Sequence, residues 1–293
     1  MKTIYPLIII LLTLFNISCE KELKLNEELT KPKIVVNSFY SANDTLRVHL
    51  SESKSILQND YIPLPNIEDA TVKLFSNGTE IGTLTHQYFG HYTLNSPFPI
   101  AGQPYELEVT HAKLDDVKSE SICPKAIEII AMDTSRIQNN FKLKLTIEDD
   151  VNATNYYSIK IMNTFITTNE ISPGVFQIDT LVQDSWICTK DINAETSSDP
   201  TVESCQNELF FNDTNFNGEV YDFNVYMDIY QTTKLIVVIK SINEDLFKYN
   251  KSLQLYQETN GNPFGEPVQV FTNIENGIGI FSGYSETTKV IEF

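Results

Sequence analysis

The chain has 293 residues, of which 41% are hydrophobic and 11% aromatic, and its 39 acidic against 21 basic side chains leave a formal net charge of −18. So acidic a chain repels phosphate backbones and anionic lipid surfaces, because nucleic-acid affinity comes mostly from basic side chains releasing counterions; a nucleic-acid partner is excluded. With 17 Phe and 14 Tyr it has core material for one large domain or two ordinary ones, so it is not a disordered chain.

Lys2 precedes a run from Ile4 to Ile17 that is apolar except for Pro6, Thr13 and Asn16. A transmembrane helix needs about 20 apolar residues, so this shorter run reads as the core of a signal peptide over residues 1–18. Ser18-Cys19 resembles the end of a lipobox, which makes Cys19 the expected lipid-attachment residue; Asn16 departs from the apolar residue usual three positions earlier. Residues 19–31 carry Glu20-Lys21-Glu22 and Asn26-Glu27-Glu28 and read as a solvated, lipidated tether.

Period-two alternation begins after it. Leu46, Val48 and Leu50 alternate with Arg47, His49 and Ser51; Ala70, Val72 and Leu74 with Thr71 and Lys73; Tyr105, Leu107 and Val109 with Glu106, Glu108 and Thr110. Each is the pattern of an antiparallel strand with one face in water. Turn signals separate them at Asn77-Gly78, Phe89-Gly90 and Ala101-Gly102. The spacing predicts six or seven strands and an immunoglobulin-like β-sandwich over residues 32–125, closed by Cys123-Pro124-Lys125.

A larger antiparallel β domain is expected over 126–293. Phe141, Leu143, Leu145 and Ile147 alternate with polar residues, Tyr157, Ile159 and Ile161 repeat the theme, and Leu235 to Ile239 is unbroken apolar, as in a strand covered on both faces. Ser241-Ile242-Asn243-Glu244 has capping-box form, and Ile242, Leu246, Tyr249, Leu253 and Tyr256 follow at helical spacing, which predicts one amphipathic helix from about 242 to 258. Near the end, Gly277, Gly279 and Gly283 read G-x-G-x-x-x-G without a following helix or βαβ unit, so they do not form a phosphate loop. On a strand, Ile278, Ile280, Ser282 and Tyr284 face one way and Gly277, Gly279, Phe281 and Gly283 the other. A glycine face admits close approach of another element, and the helix is its expected partner.

Candidate chemistry is sparse. Cys188 and Cys205 flank the polar stretch 191–199, and a disulfide there would contribute about 3 kcal/mol, leaving Cys123 a free buried thiol. His86 and His91 frame a turn, but a zinc site needs three or four ligands and none accompanies them, so no metal or other cofactor is assigned. Asp213-Thr214-Asn215-Phe216-Asn217-Gly218 matches the D-x-[DN]-x-[DN]-G opening of a calcium loop, yet position twelve is Asn224 where a glutamate is needed. A hairpin turn at Asn217-Gly218 is the simpler reading. No G-x-S-x-G elbow is present, and the pairs Asp115-Asp116 and Asp149-Asp150 are common in acidic chains, so no catalytic residue is assigned and a non-enzyme is expected.

Pro32-Lys33-Ile34-Val35-Val36-Asn37, Ala70-Thr71-Val72-Lys73-Leu74, Gly102-x-x-Tyr105-x-Leu107 and Asn155-Tyr156-Tyr157 are followed by Asn262-Pro263-Phe264-Gly265-Glu266-Pro267 and Asn276-Gly277-x-Gly279-x-Phe281-x-Gly283. Together with the lipobox these resemble a family of Bacteroidota outer-membrane lipoproteins of unknown function. The resemblance implies genes beside TonB-dependent receptors, a lipid-anchored and surface-exposed location on the outer membrane, and an accessory or ligand-binding role with such a transporter. The alternatives from other classes are an extracellular hydrolase of glycan or peptide, and an adhesin-like structural protein.

Overall fold

A computed structural model describes residues 31–54, 64–194, 203–230, 232–259, 265–266 and 268–293. The first part of the chain supplies β1 (Ile34–Ser41), β2 (Leu46–Glu52), β3 (Thr71–Ser76), β4 (Thr79–Thr83), β5 (Thr85–Tyr88), β6 (His91–Leu94), β7 (Pro104–Thr110) and β8 (Val117–Ile122). The rest supplies β9 (Ile129–Ile137), β10 (Asn140–Glu148), β11 (Tyr156–Ser172), β12 (Val175–Asp184), β13 (Ile187–Thr189), β14 (Ser204–Gln206), β15 (Glu208–Asn212), β16 (Val220–Asp228), β17 (Thr232–Ile242), α1 (Glu244–Thr259) and β18 (Ile278–Glu292). The protein is mainly β, with several antiparallel sheets and one helix among the described residues, as the alternation predicts.

The alternating residues dictate how the strands stack. In β2, Leu46, Val48 and Leu50 are fully buried, and in β7 Tyr105, Leu107 and Val109 face them across one core that also takes Val72, Leu74 and Tyr92. A second core gathers Leu143 and Leu145 of β10, Ile159 and Ile161 of β11, Phe223 of β16 and Val237 of β17. Three sheets carry these cores. A nine-stranded sheet runs β12-β11-β17-β18-β1-β2-β6-β5 with β15 also on β11; a four-stranded sheet runs β4-β3-β7-β8; a five-stranded sheet runs β14-β13-β16-β10-β9. The two small sheets thus cover two stretches of one long sheet, making two sandwiches with a shared wall.

β18 is what joins them. Its start pairs parallel with β1, Val36 opposite Gly279 and Tyr40 opposite Gly283, and its end pairs antiparallel with β17, Leu235 opposite Ile291. Ile274 and Phe281 therefore sit in the first core, so the C-terminal unit expected at 126–293 does not keep to itself. The first part also holds eight strands where six or seven are predicted.

Three local expectations are corrected. The glycines of β18 do not face the helix. A Cβ on Gly279 would lie 2.0 Å from the Val36 carbonyl oxygen, and one on Gly283 2.7 Å from that of Ile122, so the glycine face meets β1 and the end of β8. The helix covers the opposite face, where Ile242, Leu246 and Phe247 pack with Tyr156, Phe210 and Tyr284. The helix cap is also displaced: β17 keeps Ser241 and Ile242 in the sheet, and Asn243 Oδ1 accepts the Leu246 N–H at 2.9 Å. Finally, Asn217-Gly218 is no hairpin turn, because β15 and β16 belong to different sheets and residues 213–219 carry the chain across.

Candidate functional site: a cleft between the sandwiches

The connection after β8 runs across β18 before β9 begins. Ser285 Oγ donates to the Pro124 carbonyl at 2.5 Å and Thr287 Oγ1 to that of Ile127 at 2.6 Å, so polar positions of β18 pin this crossing where its glycines and apolar residues give way. Beside it opens a cleft of about 770 Å³. Lys125 and Glu128 form one wall, the connection from β10 to β11 with Glu148, Asp150 and Tyr156 the other, and Asn243 and Glu244 at the head of α1 line its end.

The second wall is braced from within. Asn155 Nδ2 donates to the Asp150 and Ala153 carbonyls at 3.0 Å each, and the Asn155 N–H donates to Asp213 Oδ2 at 2.7 Å, which ties this loop to the crossing at 213–219. Tyr157 turns inward and donates its hydroxyl to Asp149, whose other oxygen accepts the Gly218 N–H at 2.8 Å. Tyr156 points the other way, its ring 4.7 Å from that of Phe247 on the helix. The three residues of the Asn-Tyr-Tyr motif thus serve a loop, the helix and the core in turn.

Electrostatically the cleft is acidic: Glu128, Glu148, Asp150 and Glu244 line it against Lys125. The N–H and side-chain amide of Asn152 hold the exposed Asp150 carboxyl below the usual carboxylate range. Burial pushes the Asp213 carboxyl up, and the neighbouring Asp149 charge adds to the rise against the pull of the Asn155 N–H. No histidine or cysteine lines the cleft. Its charged groups are four carboxylates and one ammonium, set among hydroxyl, amide and apolar side chains, which suits a hydroxylated or positively charged group. It offers no paired nucleophile and base.

Asp213 makes a pH prediction with a definite sign. A carboxyl whose folded pKa is raised costs stability once ionised, so its contribution is fully present below the unfolded pKa and lost as pH rises through the folded value. Asp44 and Asp222, held low by Arg47 and by Thr146 with Lys144, act oppositely and lose their contribution on acidification through their folded values. Asp213→Asn is therefore expected to raise the melting temperature near neutral pH relative to the parent and to lose that advantage toward the acid side. A difference independent of pH would refute the assignment.

Cys19, residues 19–30 of the tether, and Asn262, Pro263, Phe264 and Pro267 of the Asn262-to-Pro267 motif lie outside the described residues. Cys188 and Cys205 are disulfide-bonded across β13 and β14, and Cys123 is a free, buried thiol 3.7 Å from Ser285 Oγ, its pKa pushed up by burial. His86 and His91 do not converge on a common point: the His91 ring lies 4.5 Å from His49 and that of His86 5.1 Å from Tyr92. In Asp213–Gly218 the one buried carboxylate is turned to Asn155, and no group of three or more potential ligands gathers among the described residues. Lys125, Glu128 and Asn243 come together only in the fold, since nothing in the sequence relates positions more than 100 residues apart; Asn155-Tyr156-Tyr157 and the capping-box letters of Ser241-Ile242-Asn243-Glu244 are visible as motifs, neither of them as part of a cleft.

Two β-sandwiches on a shared sheet, with an acidic cleft at their junction, define a mainly-β protein in architecture. The chain belongs to the DUF4249 family, a domain of unknown function that matches residues 20–290. Comparison with curated proteins returned no match. Among solved structures, a mutant of Salmonella alpha-2-macroglobulin is 10% identical with a TM-score of 0.25, the match covering 93% of this chain and 16% of that one. A putative carbohydrate binding protein from Bacteroides uniformis is 11% identical, covers 88% of this chain and 99% of that one, and has a TM-score of 0.21. A DUF3823 family protein from Parabacteroides merdae is 10% identical at a TM-score of 0.19, covering 72% and 91%.

Proposed function

We propose that the protein is a non-catalytic outer-membrane lipoprotein, anchored through Cys19 and exposed at the cell surface, that serves a TonB-dependent transporter as an accessory or ligand-binding partner. The observation that carries this reading is the cleft of about 770 Å³ at the junction of the sandwiches, within the size range of a small-molecule site and lined by Glu128, Glu148, Asp150, Glu244 and Lys125 among apolar and hydroxyl side chains. The leader ending in Ser18-Cys19, the charged tether and the motif resemblance supply the anchor and the transporter. The acidic lining makes a hydroxylated or cationic solute the ligand class.

The test is purification from outer membranes through a tag at the C-terminus. The expected result is a mature N-terminus at a diacylated Cys19 by mass spectrometry, a TonB-dependent receptor in the eluate, and impaired uptake when the gene is deleted. An unmodified N-terminus together with a protein that elutes alone and a deletion that leaves uptake unchanged would sink the proposal.

A further inference from the structure

β11 is far longer than the strands it lies beside. Its pairing with β17 ends at Phe165 opposite Thr232, yet it continues to Ser172 and turns through Pro173-Gly174 into β12, so the outer part of this hairpin stands clear of the body as a two-stranded ribbon. An isolated ribbon is marginally stable in water and ordinarily needs a third strand or a covered face. Among the described residues this one has neither. Among the described residues β12 pairs only with β11, and β15 takes the same side of β11 only over residues 156–160, so no described strand covers the outer edge of Val175–Asp184.

The ribbon is also apolar where it meets water. Direct pairing puts Ile166, Phe176, Ile178 and Val182 on one face with Thr164, Thr168, Thr180 and Glu170, and the four apolar residues are 53%, 60%, 70% and 55% exposed. A long, exposed, apolar edge strand without lysine or proline to blunt it is a template for another strand. In so acidic a chain that is an exception requiring a cause.

We propose that β12 pairs antiparallel with β12 of a second copy of this chain, about a two-fold axis at Ile178. The register follows from the side chains. With the axis at Ile178, Ile178 faces itself, Phe176 faces Thr180, Val175 faces Leu181, and each Asp179 faces Gln177, an amide donor. Moving the axis to Asp179 would set two carboxylates opposite each other, and like charges directly opposite are destabilising; moving it to Thr180 would replace the Phe176–Thr180 pair by Phe176 against the charged Asp184. The closed two-fold arrangement uses both free edges and leaves none to propagate.

Because each ribbon projects beyond β17 and the strands run in opposite directions, the two bodies lie at opposite ends of the paired segment. Six residues separate position 175 from 181, about 20 Å of strand. That exceeds the Debye length of about 8 Å at physiological ionic strength, so the net charge of each body does not oppose association.

The test uses the mature chain freed of its anchor by Cys19→Ser. Cys123 is buried and the other two cysteines are bonded, so a cysteine placed in β12 is the reactive thiol among the described residues. Sedimentation at micromolar concentration is expected to give twice the monomer mass, and Ile178→Lys, which brings two ammonium groups together, is expected to give a monomer with unchanged circular dichroism and melting temperature. Mild oxidation of I178C is expected to form a covalent dimer, because facing Cα atoms in an antiparallel pair lie about 4.5–5.5 Å apart, within disulfide reach. F176C, facing Thr180, is expected to cross-link far more slowly. A monomeric parent, a dimer that survives Ile178→Lys, or equal cross-linking of the two cysteine variants would each overturn the proposal.

Discussion

Replacing Gly279 with alanine is expected to leave the protein unfolded or less stable by more than about 4 kcal/mol, the range reserved for gross steric or burial defects. Gly279 has φ of +109°, and the added Cβ would lie 2.0 Å from the Val36 carbonyl oxygen and 2.9 Å from its carbon. These are backbone atoms of a strand held on both sides, by β2 and by β18 itself, so no rotamer change relieves the contact. Shifting β1 would disturb Ile34, Val36 and Tyr40, all fully buried in the first core. The control is Gly78→Ala in the turn between β3 and β4, where φ is +74° but a Cβ would meet nothing within 4 Å. Backbone strain alone costs about 1–3 kcal/mol, so the control measures that part and the difference isolates the collision. Denaturant midpoints for the two variants make the comparison; equal midpoints would mean that β1 and β18 do not approach as described.

That glycine shows how far the sequence could be read. Its strand and the division of its side chains between two faces follow from alternation alone, and Phe281 in the core with Tyr284 on the helix side bears this out. What covers the glycine face does not follow, because pairing between β1 and β18 joins residues some 240 positions apart and leaves no local signature. The helix was the nearest element in sequence, and proximity along the chain misled. Similarly, Ser241-to-Glu244 has the letters of a capping box, but a sheet claims Ser241 and Ile242 through their partners on β11 and β18, which no local pattern encodes. The disulfide was legible because both cysteines border one loop and meet across adjacent short strands. The cleft was not, since its walls come from a connection, a loop and a helix start that only the shared sheet brings together.

Asn243 is the side chain on which that meeting depends, and Asn243→Ala is expected to cost about 3 kcal/mol. Its Oδ1 caps the helix at the Leu246 N–H and also accepts the Ser282 hydroxyl at 2.6 Å, while Nδ2 donates to Ser121 Oγ at 2.9 Å. Ser121 Oγ accepts the Gly283 N–H in turn, so one amide links β8 of the first sandwich, the central strand β18 and the helix that follows β17. Loss of the cap accounts for about 1 kcal/mol. Leaving the fully buried Ser282 hydroxyl without an acceptor accounts for about 1–3 kcal/mol more. Asn243→Asp keeps both acceptor roles but loses the donation to Ser121 and adds a third charge beside Glu244 and Asp245, so an intermediate loss is expected. Thermal melts rank the variants, and amide exchange separates the causes: the alanine variant is expected to expose the first turn of α1, the aspartate variant to keep it protected. If both variants melt with the parent, the junction is held by the β18 pairing alone and the cleft wall at α1 is independent of Asn243.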